Sequence, residues 1–129
     1  MTPFGARLRA LREERHLTLT RMAADLGLSA AYLSALEHGK RARPTPGLVR
    51  QICGYFGIIW DDADELQLLA KRSRPKVTVD TGGMSPLATE LANLLADRIG
   101  DLDEPTLAHL LDTVKATAPA PRRRRGQHG

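Results

Sequence analysis

Between Thr18 and Gly39 the chain reads TLTRMAADLGLSAAYLSALEHG, and this stretch leaves it few folds to adopt. Thr18 is an N-cap residue, its hydroxyl able to accept from an orphan backbone N–H of the first helical turn. Met22, Ala23 and Leu26 recur at helical spacing and form one apolar face. Gly27 follows at once, where a left-handed residue closes a helix without a Cβ clash. Leu28 fills the corner, and Ser29 caps a second helix from Ala30 to His38. In that helix Leu33 and Leu36 point inward, while Ala30, Ala31, Tyr32, Ser34 and Ala35 lie on or near the outer face. Gly39 ends it.

The flanks supply what such a pair needs to bury its apolar faces. Thr2-Pro3 opens a first helix, with Thr2 as cap and Pro3 at the first position, where a missing N–H costs nothing. Phe4, Leu8 and Leu11 share a face of it, interleaved with Arg7, Arg9 and Arg12. His16 is a turn residue, since histidine tolerates the left-handed region better than most side chains. After Gly39 comes the basic loop Lys40-Arg41-Ala42-Arg43. Thr45-Pro46 starts a fourth helix carrying Val49, Ile52 and Phe56, and Gly57 closes it. Asp61 is the expected cap of a fifth helix over about 62–72, with Ala63, Leu66, Leu69 and Ala70 inward. Its acids fall in the first turn and Lys71-Arg72 in the last, matching the helix dipole.

From Ser73 the pattern breaks. SRPKVTVDTGGM, residues 73–84, is punctuated by Pro75 and Gly82-Gly83 and reads as a linker. Lys76 to Val79 has a strand-like composition with nothing to pair with, unless two chains pair across a symmetry axis. Ser85-Pro86 then caps a helix striped by Leu87, Leu91, Leu94, Leu95 and Ile99. A last helix over about 105–117 carries Leu107, Leu110, Leu111 and Val114. Two such helices have too little core to stand alone and must bury these leucines against the head or against a second copy. The PAPRRRRGQHG tail is Pro- and Arg-rich, with the composition of a disordered segment. The expected architecture is therefore all-α. It comprises a five-helix head (1–72), a linker (73–84), a helical hairpin suited to dimerisation (85–117) and a basic tail (118–129).

Two helices crossing steeply at a Gly-containing turn form a helix-turn-helix, whose second helix can enter a DNA major groove. The residues resemble the Cro/Xre (phage-repressor) family over about 4–58. The resemblance rests on Leu8 to Arg12, Met22-Ala23, Leu26 to Ser29, Leu36 to Gly39 and Pro44-Thr45, then Val49, Ile52, Phe56 and Gly57-Ile58. It implies a five-helix repressor-like DNA-binding head, and heads of this type usually bind as two-fold dimers. It also implies a buried ion pair between Arg12 and Glu37, and a small buried residue where Cys53 stands. The chain departs from the pattern in three places: His16 replaces the usual Gly, Leu19 the Gln that commonly bonds a phosphate, and the positions that resemble base-reading ones, Ala30, Ala31 and Ala35, carry only methyl groups.

Charge segregates along the chain. Residues 1–58 hold nine Lys/Arg against four Asp/Glu, residues 59–121 six against eleven, and 122–125 are four arginines. A basic front and an acidic middle suit a polyanion-binding head joined to a module that avoids the polyanion. Phosphate candidates are Thr18, Thr20, Arg21, Lys40, Arg41 and Arg43, with the backbone N–H groups at the two capped helix starts. The candidates for the groove are Ala30, Ala31, Tyr32, Ser34, Ala35 and His38. Alanine touches a thymine methyl but offers no bidentate hydrogen bond, so few direct bonds to bases are expected. Tyr32 reads either a base or the sugar-phosphate edge.

Other classes find little support. Cys53, the lone cysteine, rules out an internal disulfide. The four histidines are scattered, and no phosphate loop or nucleophile motif occurs, so neither enzyme chemistry, a metal nor a cofactor is expected. No apolar run reaches a membrane span and no signal pattern opens the chain, which reads as cytoplasmic. The leading expectation is a transcriptional regulator, in the repressor mode, binding double-stranded DNA as a homodimer. The alternative is the antitoxin of a toxin–antitoxin pair, its C-terminal region clasping the toxin.

Overall fold

The structure is a computed structural model that describes residues 1–39 and 44–117. It divides into two units, residues 1–78 and the residues from Val79 onward. All regular elements among the described residues are helical.

The first unit holds α1 (Pro3–Glu14), α2 (Leu19–Leu26), α3 (Ala30–His38), α4 (Pro46–Phe56) and α5 (Trp60–Lys71). Each of the first four starts where a hydroxyl meets an orphan donor. Thr2, Thr18, Ser29 and Thr45 accept from the backbone N–H three residues on, at 3.0–3.1 Å. Gly27, Gly39 and Gly57 then end α2, α3 and α4 at φ of 67–70°, the left-handed values glycine adopts without strain. His16 turns the chain at φ 54°, as its place after α1 suggested.

The helices close a circuit: α1 packs on α3 and α5, α2 on α3 and α4, and α4 on α5. Inside it Phe4, Leu8, Met22, Leu33, Leu36, Val49 and Ile52 are fully buried, joined by Phe56, Leu66 and Ala70. Each of these apart from Ala70 contributes about 1.5–3 kcal/mol relative to exposure. Cys53 lies in this core, where burial pushes its thiol above the ordinary range.

The start of α5 differs from the expected one. The helix begins at Trp60 behind Ile59, no side chain caps it, and Asp61 sits within the first turn beside Asp62. The cause lies upstream: the Ile58 N–H bonds the Cys53 carbonyl at 2.9 Å while its side chain packs on the core. That leaves Ile59 alone to turn the chain, and Trp60 takes a left-handed φ of 56°. Ser73, at the start of the expected linker, is buried. Its hydroxyl donates to the Leu69 carbonyl (2.6 Å) and accepts from the Phe4 N–H (2.9 Å), fastening the end of α5 to the start of α1.

The second unit contains α6 (Pro86–Arg98), a single 3-10 turn (Ile99–Asp101) and α7 (Glu104–Ala116). Ser85 caps α6. Asp103 caps α7 by accepting from the Thr106 N–H, one residue ahead of the expected start, and the Thr106 hydroxyl together with that N–H holds its carboxyl below the usual range. No residue of these helices is buried.

Candidate nucleic-acid interface

The outward face of α3 is built from behind. Leu33 and Leu36 are 0% and 1% exposed and fix the rotation of the helix about its axis. The Ser29 cap fixes its start. Its far end is held by α1 in two ways. Arg12 forks onto Glu37, Nε to Oε2 at 2.9 Å and Nη2 to Oε1 at 3.2 Å, and its Nη1 donates to the Leu17 carbonyl at 3.0 Å. Glu37 is buried, and its carboxylate raises the guanidinium pKa further. Gly5 meanwhile lies against the α3 backbone, where a Cβ would stand 2.8 Å from the Leu36 carbonyl oxygen and nearer still to that of Glu37. Only glycine permits this approach.

With the helix so held, Ala30, Ala31 and Tyr32 are exposed, Ser34 and Ala35 are half-buried, and His38 is exposed. His38 Nδ1 lies 2.9 Å from the Ser34 carbonyl oxygen and 3.4 Å from its hydroxyl. A carbonyl cannot donate, so Nδ1 carries the proton. In the neutral ring Nε2 is then left as an acceptor.

Of the expected phosphate ligands, Thr18 and Thr20 are exposed at the start of α2. The Thr18 oxygen accepts from the Arg21 N–H, which leaves its hydroxyl hydrogen to donate. Arg21 is also on the surface, but its guanidinium pairs with Asp25 at 3.2 Å. Leu19, in the usual glutamine position, packs against the core. Lys40, Arg41 and Arg43 lie outside the described residues, as does the 118–129 tail.

Several side chains that support this face were not singled out from sequence. Asp25 accepts from the Tyr55 hydroxyl at 2.7 Å, so Arg21, Asp25 and Tyr55 tie α2 to α4. That bond lowers the Asp25 pKa and raises that of Tyr55. Gln51 donates to the Leu26 carbonyl (3.0 Å), one of the orphan acceptors at the end of α2. Arg15 lies over the Phe56 ring, 5.0 Å from its centroid, and donates to the Phe56 carbonyl. Only Gly5 left a trace in the sequence, as a glycine inside the first turn of a helix, where alanine is the better helix former.

The apolar stripe assigned to dimerisation is on the surface of the second unit. Leu87, Leu91, Leu94, Ile99, Leu110, Leu111 and Val114 are exposed; Leu95 and Leu107 are half-buried. Among the described residues no helix is long and apolar enough to cross a membrane.

A helix-turn-helix domain family matches residues 3–67, half of the chain. The chain is also similar to the HTH-type transcriptional repressor RghR of Bacillus subtilis (strain 168), 48% identical over 52 residues. That stretch is 40% of this chain and 38% of RghR. It is 36% identical over 62 residues to RghRB of the same organism, described as an uncharacterized HTH-type transcriptional regulator. There the match spans 48% of this chain and 45% of the relative, so the chain spans under half the length of the curated relatives it matches. No solved structure matches it.

Proposed function

This chain belongs to the helix-turn-helix domain family, and on that premise we propose that it is a DNA-binding transcriptional regulator, acting as a homodimeric repressor with α3 in the major groove. The observation that carries the reading is the way α3 is held. Its inner leucines are sealed, its end is bolted to α1 through Arg12–Glu37, and its outer face carries short side chains that let backbone approach base edges. The similarity to a protein described as a transcriptional repressor supports the same sign of regulation.

On DNA the capped starts of α2 and α3 present backbone N–H groups to phosphates, where the helix dipole favours negative charge. Thr18, Thr20 and Arg21 add side-chain contacts, Arg21 by exchanging Asp25 for a phosphate, and Lys40, Arg41 and Arg43 follow in the loop. The methyl groups of Ala30, Ala31 and Ala35 meet thymine methyls, and Tyr32 lies beside them. His38 Nε2 accepts from an exocyclic amine of adenine or cytosine. With so few directional bonds, selectivity also draws on groove shape and on the spacing of two half-sites. The exposed leucines of α6 and α7 join the two copies. Occupying a promoter in this way excludes polymerase.

Fluorescence anisotropy on the chain's own upstream DNA, with an unrelated duplex in parallel at physiological salt, tests the reading. Tighter binding to the upstream duplex by at least about tenfold is expected, below the roughly thousandfold at which usual specificity ratios begin, because α3 offers so few directional bonds. Equal, steeply salt-dependent binding to both would remove the claim of selectivity. No binding to any duplex at low salt would overturn the proposal, and purification in complex with an operon neighbour would favour the antitoxin reading.

A further inference from the structure

The stretch Lys76-Val77-Thr78-Val79-Asp80 lies between α5 and α6 and belongs to neither a helix nor a strand. Val77 and Val79 are 68% and 67% exposed. Among the described residues no backbone hydrogen bond engages Val77, Thr78 or Val79. Three β-branched residues in succession, with free donors and acceptors on both sides, have the composition and the open backbone groups of a strand edge, the kind of surface that recruits another strand.

The sequence of this edge is complementary to itself. In an antiparallel pairing centred on Thr78, Lys76 faces the partner's Asp80, Val77 faces the partner's Val79, and Thr78 faces the partner's Thr78. Opposite charges, apolar β-branched pairs and threonine pairs are the cross-strand combinations that stabilise a ladder. Side chains alternate, so all four valines of the two strands share one face and the charged and threonine pairs the other. The segment is also bounded symmetrically. Pro75 lacks the N–H to continue a ladder on one side. On the other, Asp80 Oδ1 accepts from the Gly82 N–H at 2.8 Å and Met84 bonds back to the Thr81 carbonyl at 3.0 Å, turning the chain away. The second carboxylate oxygen of Asp80 stays available for Lys76.

We infer that residues 76–80 pair antiparallel with the same residues of a second copy, forming a two-stranded ribbon on the dimer axis through Thr78. The inference rests on the homodimer proposed above and names its central contact. A two-stranded ribbon alone is marginal in water. It therefore needs further burial between the two copies, which the pairing of the exposed leucines of α6 and α7 proposed above supplies.

Cysteine cross-linking of the full chain reads the register. Opposed residues in such a ladder have Cα atoms about 4.5–5.5 Å apart, within disulfide reach. Residue 76 and its own counterpart would be roughly 14 Å apart, four residues along the strand, and beyond it. The unsubstituted chain, whose Cys53 is buried, is the control. Under mild oxidation Thr78→Cys should form a covalent dimer at least about tenfold faster than Lys76→Cys or Asp80→Cys alone. Mixing Lys76→Cys with Asp80→Cys should restore fast cross-linking. A chain that sediments as a dimer, with Thr78→Cys no faster than Lys76→Cys, would overturn the ribbon and leave the homodimer standing. A chain monomeric at every concentration, with no rapid cross-link, would overturn both.

Discussion

Arg12 and Glu37 are unequal partners, and their burial says which loss costs more. Glu37 is 2% exposed, whereas the Arg12 side chain keeps 15% and holds a second acceptor in the Leu17 carbonyl. Arg12→Ala strands a buried carboxylate and should cost about 3–5 kcal/mol. Glu37→Gln keeps one acceptor for the guanidinium and should cost about 1–2 kcal/mol. Urea denaturation of both variants checks the order. Trp60 argues in the opposite direction. It is 81% exposed, so it contributes little burial, yet it holds a left-handed φ of 56°. Trp60→Gly removes a strain of about 1–2 kcal/mol, partly offset by a freer unfolded chain, for an expected net gain of about 0.5–1 kcal/mol in the same titration. The Asp25–Tyr55 bond gives a pH signature. Asp25 has a lowered folded pKa, so its stabilisation is present above the unfolded value near 3.9 and is lost as pH falls through the folded one. Tyr55 has a raised folded pKa, so its share is present below the unfolded value near 10 and is lost as pH rises through the folded one. Tyr55→Phe should therefore lower Tm by a constant amount from about pH 6 to 8, with the gap narrowing below about pH 4 and above about pH 10. A gap that does not change with pH would show that the bond is not what Tyr55 contributes.

Among the elements, the contact of α1 with α3 has the least freedom. A Cβ at Gly5 would meet backbone atoms of Leu36 and Glu37, which cannot rotate aside as a side chain tip would. Gly5→Ala should therefore destabilise the unit by about 1–3 kcal/mol, the usual cost of overpacking, although alanine is the better helix former. Thermal melting decides it: a rise in Tm would mean that propensity outweighs the clash. The same residue marks where sequence reading stops. The caps at Thr2, Thr18, Ser29 and Thr45 and the glycines at 27, 39 and 57 were legible because each answers a rule within four residues. Periodicity in turn exposed Leu33, Leu36, Val49 and Ile52 as core. The start of α5 was not legible, because the anchoring of Ile58 overrode the capping preference of Asp61. Nor were Arg15 on Phe56, Gln51 on Leu26 or Tyr55 on Asp25, which join residues 25–41 apart and depend on how helices pack. The outward alanines of α3 were visible in sequence, but the clamp that sets their angle was visible only in part, through Arg12 and Glu37.

At the scale of the whole chain, a basic head is joined to a unit in which no described helix residue is fully buried. Leu91 and Leu111 are 58% and 53% exposed on α6 and α7, far more apolar surface than a free-standing pair of helices keeps in water without a partner. Replacing Leu91, Leu94 and Leu111 together by Asn tests whether that partner is a second copy. These side chains are exposed within one chain, so the melting of the head should shift by no more than surface substitutions usually do, about 0.5 kcal/mol or less each. Sedimentation should shift from dimer to monomer. DNA binding then changes in a way loss of folding would not mimic. Each phosphate contact adds about −0.9 to the slope of log affinity against log salt, so a dimer that becomes a monomer should lose about half its slope. Its preference for a two-half-site duplex should fall as well. Should the variant remain dimeric with an unchanged slope, the leucines serve another partner, and the joining of two heads must be sought elsewhere in the chain.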